Sequence, residues 1–153
     1  MDGQIIPCFY CLLLNKTQET YRRLWTELKT IIPTGDPSLV MMDFEKAAIN
    51  AVQDVYPDAN IQGCLYHLSQ NIYRKVQSLG LQERYQTDAE FSLLMRMIPA
   101  LAFAPIHEVI NVFEELQEAM SPEGIPVLDY FEYSYIGRKR RRNRAVPLYA
   151  HEI

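Results

Sequence analysis

Two short apolar runs, each ending where a helical pattern begins, constrain the fold of this chain more than any other feature. The first, Ser38-Leu-Val-Met-Met42, has a β-branched centre, follows the breaker-rich stretch Pro33-Thr-Gly-Asp-Pro37 and stops at Asp43. From Phe44 the apolar positions Phe44, Ala47, Ala48, Ala51, Val52 and Val55 recur at three- and four-residue spacing, which predicts a helix. The second run, Ala59-Asn-Ile-Gln-Gly-Cys-Leu-Tyr-His67, reads as a strand, and Leu68, Ile72, Val76 and Leu79 then mark one face of a helix that stops at Gly80. Strand, helix, strand, helix is the signature of an α/β fold. Asp43 therefore falls at a strand's carboxyl end, where open α/β sheets place their chemistry. The same position makes it a candidate N-cap, with Lys46 at the third helical position rather than the Glu of a capping box.

Upstream, Ile5-Ile-Pro-Cys-Phe-Tyr-Cys-Leu-Leu-Leu14 reads as a further strand, with Asp2 and Gly3 in a hairpin turn before it. Thr17 to Ile32 reads as a helix capped by Asn15 or Thr17, with Tyr21, Leu24, Trp25, Leu28, Ile31 and Ile32 forming a core-facing stripe. After Gly80 the pattern is wholly helical: Leu81 to Arg84, Asp88 to Leu101 with Pro99 near its end, Ile106 to Met120, and Val127 to Tyr135. These helices should pack as a small bundle on the sheet's edge. At 153 residues and 48% hydrophobic the chain can bury a substantial core, and no Ser/Gly-rich linker divides it.

Three cysteines, with Cys8 and Cys11 on one strand and Cys64 beside a helix, do not make a disulfide framework, so a reducing compartment is expected. Cys64 and His67, three apart at a strand-to-helix turn, could supply half of a zinc site but have no second pair at recognisable spacing. The plain alternative is a small buried Cys64 and a hydrogen-bonded His67. Ile5 to Leu14 is too short to span a bilayer, and Met1-Asp-Gly-Gln lacks the positive start of a signal peptide. A nuclear or cytoplasmic chain with no membrane partner is expected.

The formal net charge of −4 conceals an uneven distribution. Arg138, Lys139, Arg140, Arg141, Arg142 and Arg144 are six of the fifteen basic residues, leaving Met1 to Gly137 with nine basic against eighteen acidic, a net of −9. Such a basic arm binds phosphates through counterion release or serves as a nuclear localisation signal; a solvated surface loop is the plain alternative. The acidic body argues against extensive DNA contact outside the arm.

Four segments carry a family resemblance: Asn15-Lys-Thr-Gln-Glu-Thr-Tyr-Arg22, Met42-Asp-Phe-Glu-Lys-Ala-Ala48, Gly63-Cys-Leu-Tyr-His-Leu-Ser-Gln-Asn71 and Ala100-Leu-Ala-Phe-Ala-Pro105. In order and spacing they resemble Mutator-like element (MULE) transposases. The resemblance implies a catalytic domain like ribonuclease H, in which two Asp and one Glu hold two divalent ions, Mg²⁺ or Mn²⁺, that activate water and then a DNA 3′-hydroxyl. Asp43 matches the second Asp and would be a metal ligand; Cys64 and His67 match the Cys-x-x-His element between that Asp and the final Glu. The first Asp is expected upstream of the Ile5–Leu14 strand, and the Asn-Asn-x-x-Glu segment of the final Glu has no counterpart, since Glu152 lacks that context.

The expectation is a partial ribonuclease-H-like fold of about three strands with flanking helices over 1–80, an all-helical insertion over 81–137 and a basic tail over 138–153. The chain should be a truncated transposase domain, inactive alone and without a resident cofactor, with DNA as a partner through the tail. Two other readings are a co-opted protein- or DNA-interaction module, and an active metal-dependent nuclease using Asp43, Glu45, His67 and a further acid.

Overall fold

A computed structural model describes residues 6–32 and 35–149; Asp2, Gly3 and Glu152 lie outside them. The chain is mixed α/β and mostly helical. In order it forms α1 (Gln18–Ile31), β1 (Leu39–Met42), α2 (Lys46–Val55), β2 (Asn60–Gly63), α3 (Leu65–Ser78), α4 (Gln82–Thr87), α5 (Ala89–Ala100), a 3₁₀ turn (Leu101–Phe103), α6 (Val109–Ala119), α7 (Ile125–Phe131) and a π-helical turn (Glu132–Ile136). These residues form two compact units. One contains the described residues up to Ser38 with Glu45–Asn60, the other Leu39–Phe44 with the described residues from Ile61 onward.

In the first unit α1 packs on α2. Thr17 caps α1 by accepting from the Thr20 N–H, and the Asn15 carboxamide oxygen braces Thr17. Ala48, Ile49, Ala51 and Val52 bury one face of α2. The α1 stripe is only half-buried, and its last members Ile31 and Ile32 are exposed. Trp25 and Tyr56 meet edge-to-face at 6.2 Å, and the Lys29 ammonium lies over the Tyr56 ring.

The expected first strand does not form among the described residues. Residues 6–14 are irregular and exposed, from 38% at Leu13 to full exposure at Leu12 and Leu14. Alternating or apolar character does not make a strand by itself; the backbone groups need a hydrogen-bonding neighbour. The two described strands pair in parallel with each other in a two-stranded sheet, and β2 stops at Gly63: residues 65–67, expected to extend it, open α3 instead.

The second unit carries the main core. Leu68, Ile72 and Val76 of α3 meet Phe91, Met95 and Ile98 of α5, Phe113 and Leu116 of α6, and Val127, Leu128 and Phe131 of α7. The helical pattern after Gly80 is realised with its own punctuation. Gly80, at φ +72°, ends α3 in the left-handed region, and the Leu81 N–H reaches back to the Val76 carbonyl. Asp88 caps α5 by accepting from the Phe91 N–H at 3.0 Å. The Phe91 backbone bond first, then Arg84, hold the Asp88 carboxyl below its ordinary range.

Candidate functional site

The register of the sheet decides where the strand-end residues lie. The Asn60 N–H donates to the Ser38 carbonyl, and the Cys64 N–H donates to the Met42 carbonyl at 2.9 Å. The two strands therefore end side by side, and Asp43, immediately after β1, shares the sheet's carboxyl edge with Cys64, the N-cap residue of α3, and His67 in its first turn. All three are half-buried. Cys64 makes no capping bond through its side chain. His67 stands edge-to-face to Tyr66 at 5.4 Å. Its Nδ1 is buried without a hydrogen-bond partner among the described residues, which corrects the expectation of a hydrogen-bonded histidine at the helix start.

Asp43 does not cap α2. That helix begins at Lys46, its N-cap is Glu45, and no side chain closes the cap. The ring of Phe44, next along the chain, packs edge-to-face on Tyr135 at 4.9 Å and on Tyr149 at 5.3 Å. Glu45 is occupied elsewhere, accepting from the Tyr21 hydroxyl at 3.0 Å and from Lys16 at 3.4 Å. It is thus held against Tyr21 of α1 and Lys16 just before that helix.

The donors at this corner are one carboxylate, one thiol and one imidazole, and no group of three or more His, Cys, Asp or Glu side chains able to hold a metal converges among the described residues. Mg²⁺ and Mn²⁺ take convergent oxygen ligands, and a two-ion site needs carboxylates that bridge them. Among the described residues the set around Asp43 supplies one such carboxylate. A cavity of about 350 Å³ nearby, lined by Phe44, Ile61, Leu68, Leu101, Phe131 and Tyr135 among others, is apolar, and Asp43, Cys64 and His67 are not part of its wall. Burial in this apolar cluster raises the Tyr135 hydroxyl pKa above its ordinary value, against the opposing pull of its hydrogen bond to Asn71.

The basic run is built differently from a free arm. The π-helical turn closes with the Gly137 N–H donating to the Glu132 carbonyl, and Gly137 then takes φ +89°. From there the chain makes a hairpin: the Ala145 N–H donates to the Arg138 carbonyl, Lys139 pairs with Arg144, and the Arg140 N–H donates to the Asn143 carbonyl. Two acids hold its base. Arg144, with only 18% of its side chain exposed, donates to Glu132 at 2.6 Å and to the Gly137 carbonyl at 3.0 Å, and approaches Glu114 at 3.5 Å. Lys139 donates to Glu114 at 2.8 Å. That bond first, with the charges of Lys139 and Arg144, holds the Glu114 carboxyl below its ordinary range. Arg138 stacks over the Tyr133 ring at 5.3 Å. The side chains of Arg140, Arg141 and Arg142 are exposed at the tip, without a hydrogen-bond or ion-pair partner among the described residues. Glu114 and Glu132 carried no sequence signal for this role, since their partners lie 25 and 12 residues further on.

Residues 1–71, which include both strands and the Asp43 and Cys64–His67 corner, match the MULE transposase domain. The chain is also 26% identical over 98 residues to the PKS-NRPS hybrid synthetase cheA of Chaetomium globosum, a stretch that covers 58% of this chain and 2% of that protein. The match therefore spans a very small part of that relative's length. No solved structure matches the chain. The family match takes in the sheet-edge segments and stops short of the helical residues beyond 71. Among the described residues, no helix is long and apolar enough to cross a membrane.

Proposed function

We propose that this chain is a transposase-derived nucleic-acid-binding domain that does not cleave or join DNA by itself. On this reading β1 and β2 descend from a ribonuclease-H-like sheet, Asp43 keeps the position of the family's second Asp, and affinity for DNA resides in the basic hairpin of Arg138 to Arg144. The observation that carries it is the donor set at the sheet edge: Asp43 stands with Cys64 and His67, and no third metal-capable side chain converges with them among the described residues. A single carboxylate offers a divalent ion weak, exposed binding rather than the bridged site that phosphoryl chemistry needs.

Calorimetric titration of the full chain with Mn²⁺ and Mg²⁺, paired with a plasmid-nicking assay, tests the reading. Expected are no binding tighter than roughly the millimolar range and no nicking. Tight stoichiometric Mn²⁺ binding with nicking, both lost in Asp43→Ala, would establish the metal-dependent nuclease instead. A duplex-binding measurement completes the test, since the chain should retain DNA weakly and without sequence preference.

A further inference from the structure

The geometry points to a division of labour within the basic hairpin: Arg140, Arg141 and Arg142 alone contact nucleic-acid phosphates, while Glu114 and Glu132 withhold Lys139 and Arg144 to hold the tip in place. This inference rests on the proposed nucleic-acid-binding reading and deepens it. Six basic residues in seven positions suggest six equivalent contacts, but their surroundings differ. Arg144 is mostly buried between two carboxylates and a backbone carbonyl, and its NH1 donors are spent at 2.6 Å and 3.0 Å. Lys139 is spent on Glu114 at 2.8 Å, and the Arg138 guanidinium lies over the Tyr133 ring at 5.3 Å. A phosphate that recruited Lys139 or Arg144 would have to displace a carboxylate already in hydrogen-bond contact.

The three tip guanidiniums carry no such cost. They are exposed, consecutive and free of partners among the described residues, on a turn closed by the Arg140 to Asn143 backbone bond. Each offers a planar fork that matches a phosphate's oxygens bidentately. No apolar anchor accompanies them at the tip, which is what backbone contact without base readout requires. The ligand class is therefore the phosphodiester backbone of a nucleic acid. Glu114 and Glu132 are positioning residues, because they act only through the cations they hold.

Fluorescence anisotropy of the full chain against an arbitrary labelled duplex of about two helical turns, from 50 to 200 mM salt, reads the number of phosphates neutralised. Three contacts give a log-log slope of roughly −2.7, a loss of about 40-fold over that range, whereas six give roughly −5.4 and about 2,000-fold. The shallower slope is expected. The variant Arg140→Ser/Arg141→Ser/Arg142→Ser, confined to exposed positions, should unfold at the wild-type temperature and lose the duplex. The variant Glu114→Gln/Glu132→Gln should release Lys139 and Arg144 and steepen the slope toward roughly −4.5.

A wild-type slope near −5.4, or an unchanged slope in the glutamine variant, overturns the division between tip and base. Duplex binding that survives the tip variant but is lost when all six basic residues are replaced overturns this inference and leaves the broader reading standing. Absence of binding by the wild-type chain overturns both. Displacement of the duplex by polyglutamate at equal charge concentration identifies an acidic protein as the partner and likewise overturns the assignment.

Discussion

Asp43 and Gly137 show how differently two single residues can be committed. Asp43 has the right identity for both a cap and a catalyst, yet Glu45 occupies the N-cap position and no carboxylate cluster forms around Asp43 among the described residues. Asp43→Ala and Asp43→Asn should therefore both leave the free energy of denaturant unfolding within about 0.5 kcal/mol of wild type, as for an ordinary partly exposed position. An alanine that costs about 1 kcal/mol more than the asparagine would restore the cap. Gly137 has no such latitude. Its φ of +89° is a glycine conformation, and a Cβ built there would overlap the carbonyl oxygen of Ala145, part of the hairpin's returning strand. Gly137→Ala should cost at least on the order of 1–3 kcal/mol from backbone strain alone. The overlap adds to this or is relieved by letting the hairpin go. Hydrogen exchange distinguishes the two: the Ala145 N–H, which donates to Arg138, should lose protection in the second case. An alanine variant with wild-type stability and a protected Ala145 would mean that the backbone there is not fixed as described.

At the scale of elements, what was legible in the sequence is what local chemistry controls. The stop of α3 at Gly80 and the start of α5 after Asp88 follow from residues that satisfy their own helix ends, and both are found. The apolar run at Ile5–Leu14 is equally clear on paper, but a strand is a pairwise object, and the described part of the run has no neighbour to pair with. The hairpin was illegible for the related reason that arginines have no strand preference; acids on distant helical turns hold it. At the sheet edge the strand end at Asp43 was legible and the cap was not: the N-cap position of α2 falls to Glu45, two residues on. The α5 cap provides a direct test of the local half of this account. Asp88→Ala should lower the thermal midpoint by roughly 2–4 °C, with Asp88→Asn losing less because it keeps the accepting oxygen. The sign of its pH dependence follows from its lowered pKa. The stabilisation is present above the unfolded-state pKa and lost as pH falls through the folded-state value, so the wild-type chain and the Asp88→Ala variant should converge in stability in strong acid. A difference that grows on acidification would contradict the cap.

For the whole molecule, charge is the property that no single element reveals. The stretch up to Gly137 carries twice as many acidic as basic residues, while six cations occupy seven positions beyond it. Two of those cations are neutralised by Glu114 and Glu132 and Arg138 lies over the Tyr133 ring, so the basic pole narrows to the hairpin tip. A uniform chain of formal net charge −4 would be repelled by polyanions. A polarised one should bind matrices of both signs, an anion exchanger through its acidic body and immobilised heparin through the hairpin. Elution from heparin should occur at modest salt, because only a few phosphate-like groups are engaged and screening is strong for exposed charges. Replacing Arg140, Arg141 and Arg142 by Ser makes the net charge three units more negative, so the variant should elute later from the anion exchanger and pass through heparin unretained. If heparin still holds it as firmly as wild type, cations elsewhere on the acidic body, rather than the tip, must create the positive field.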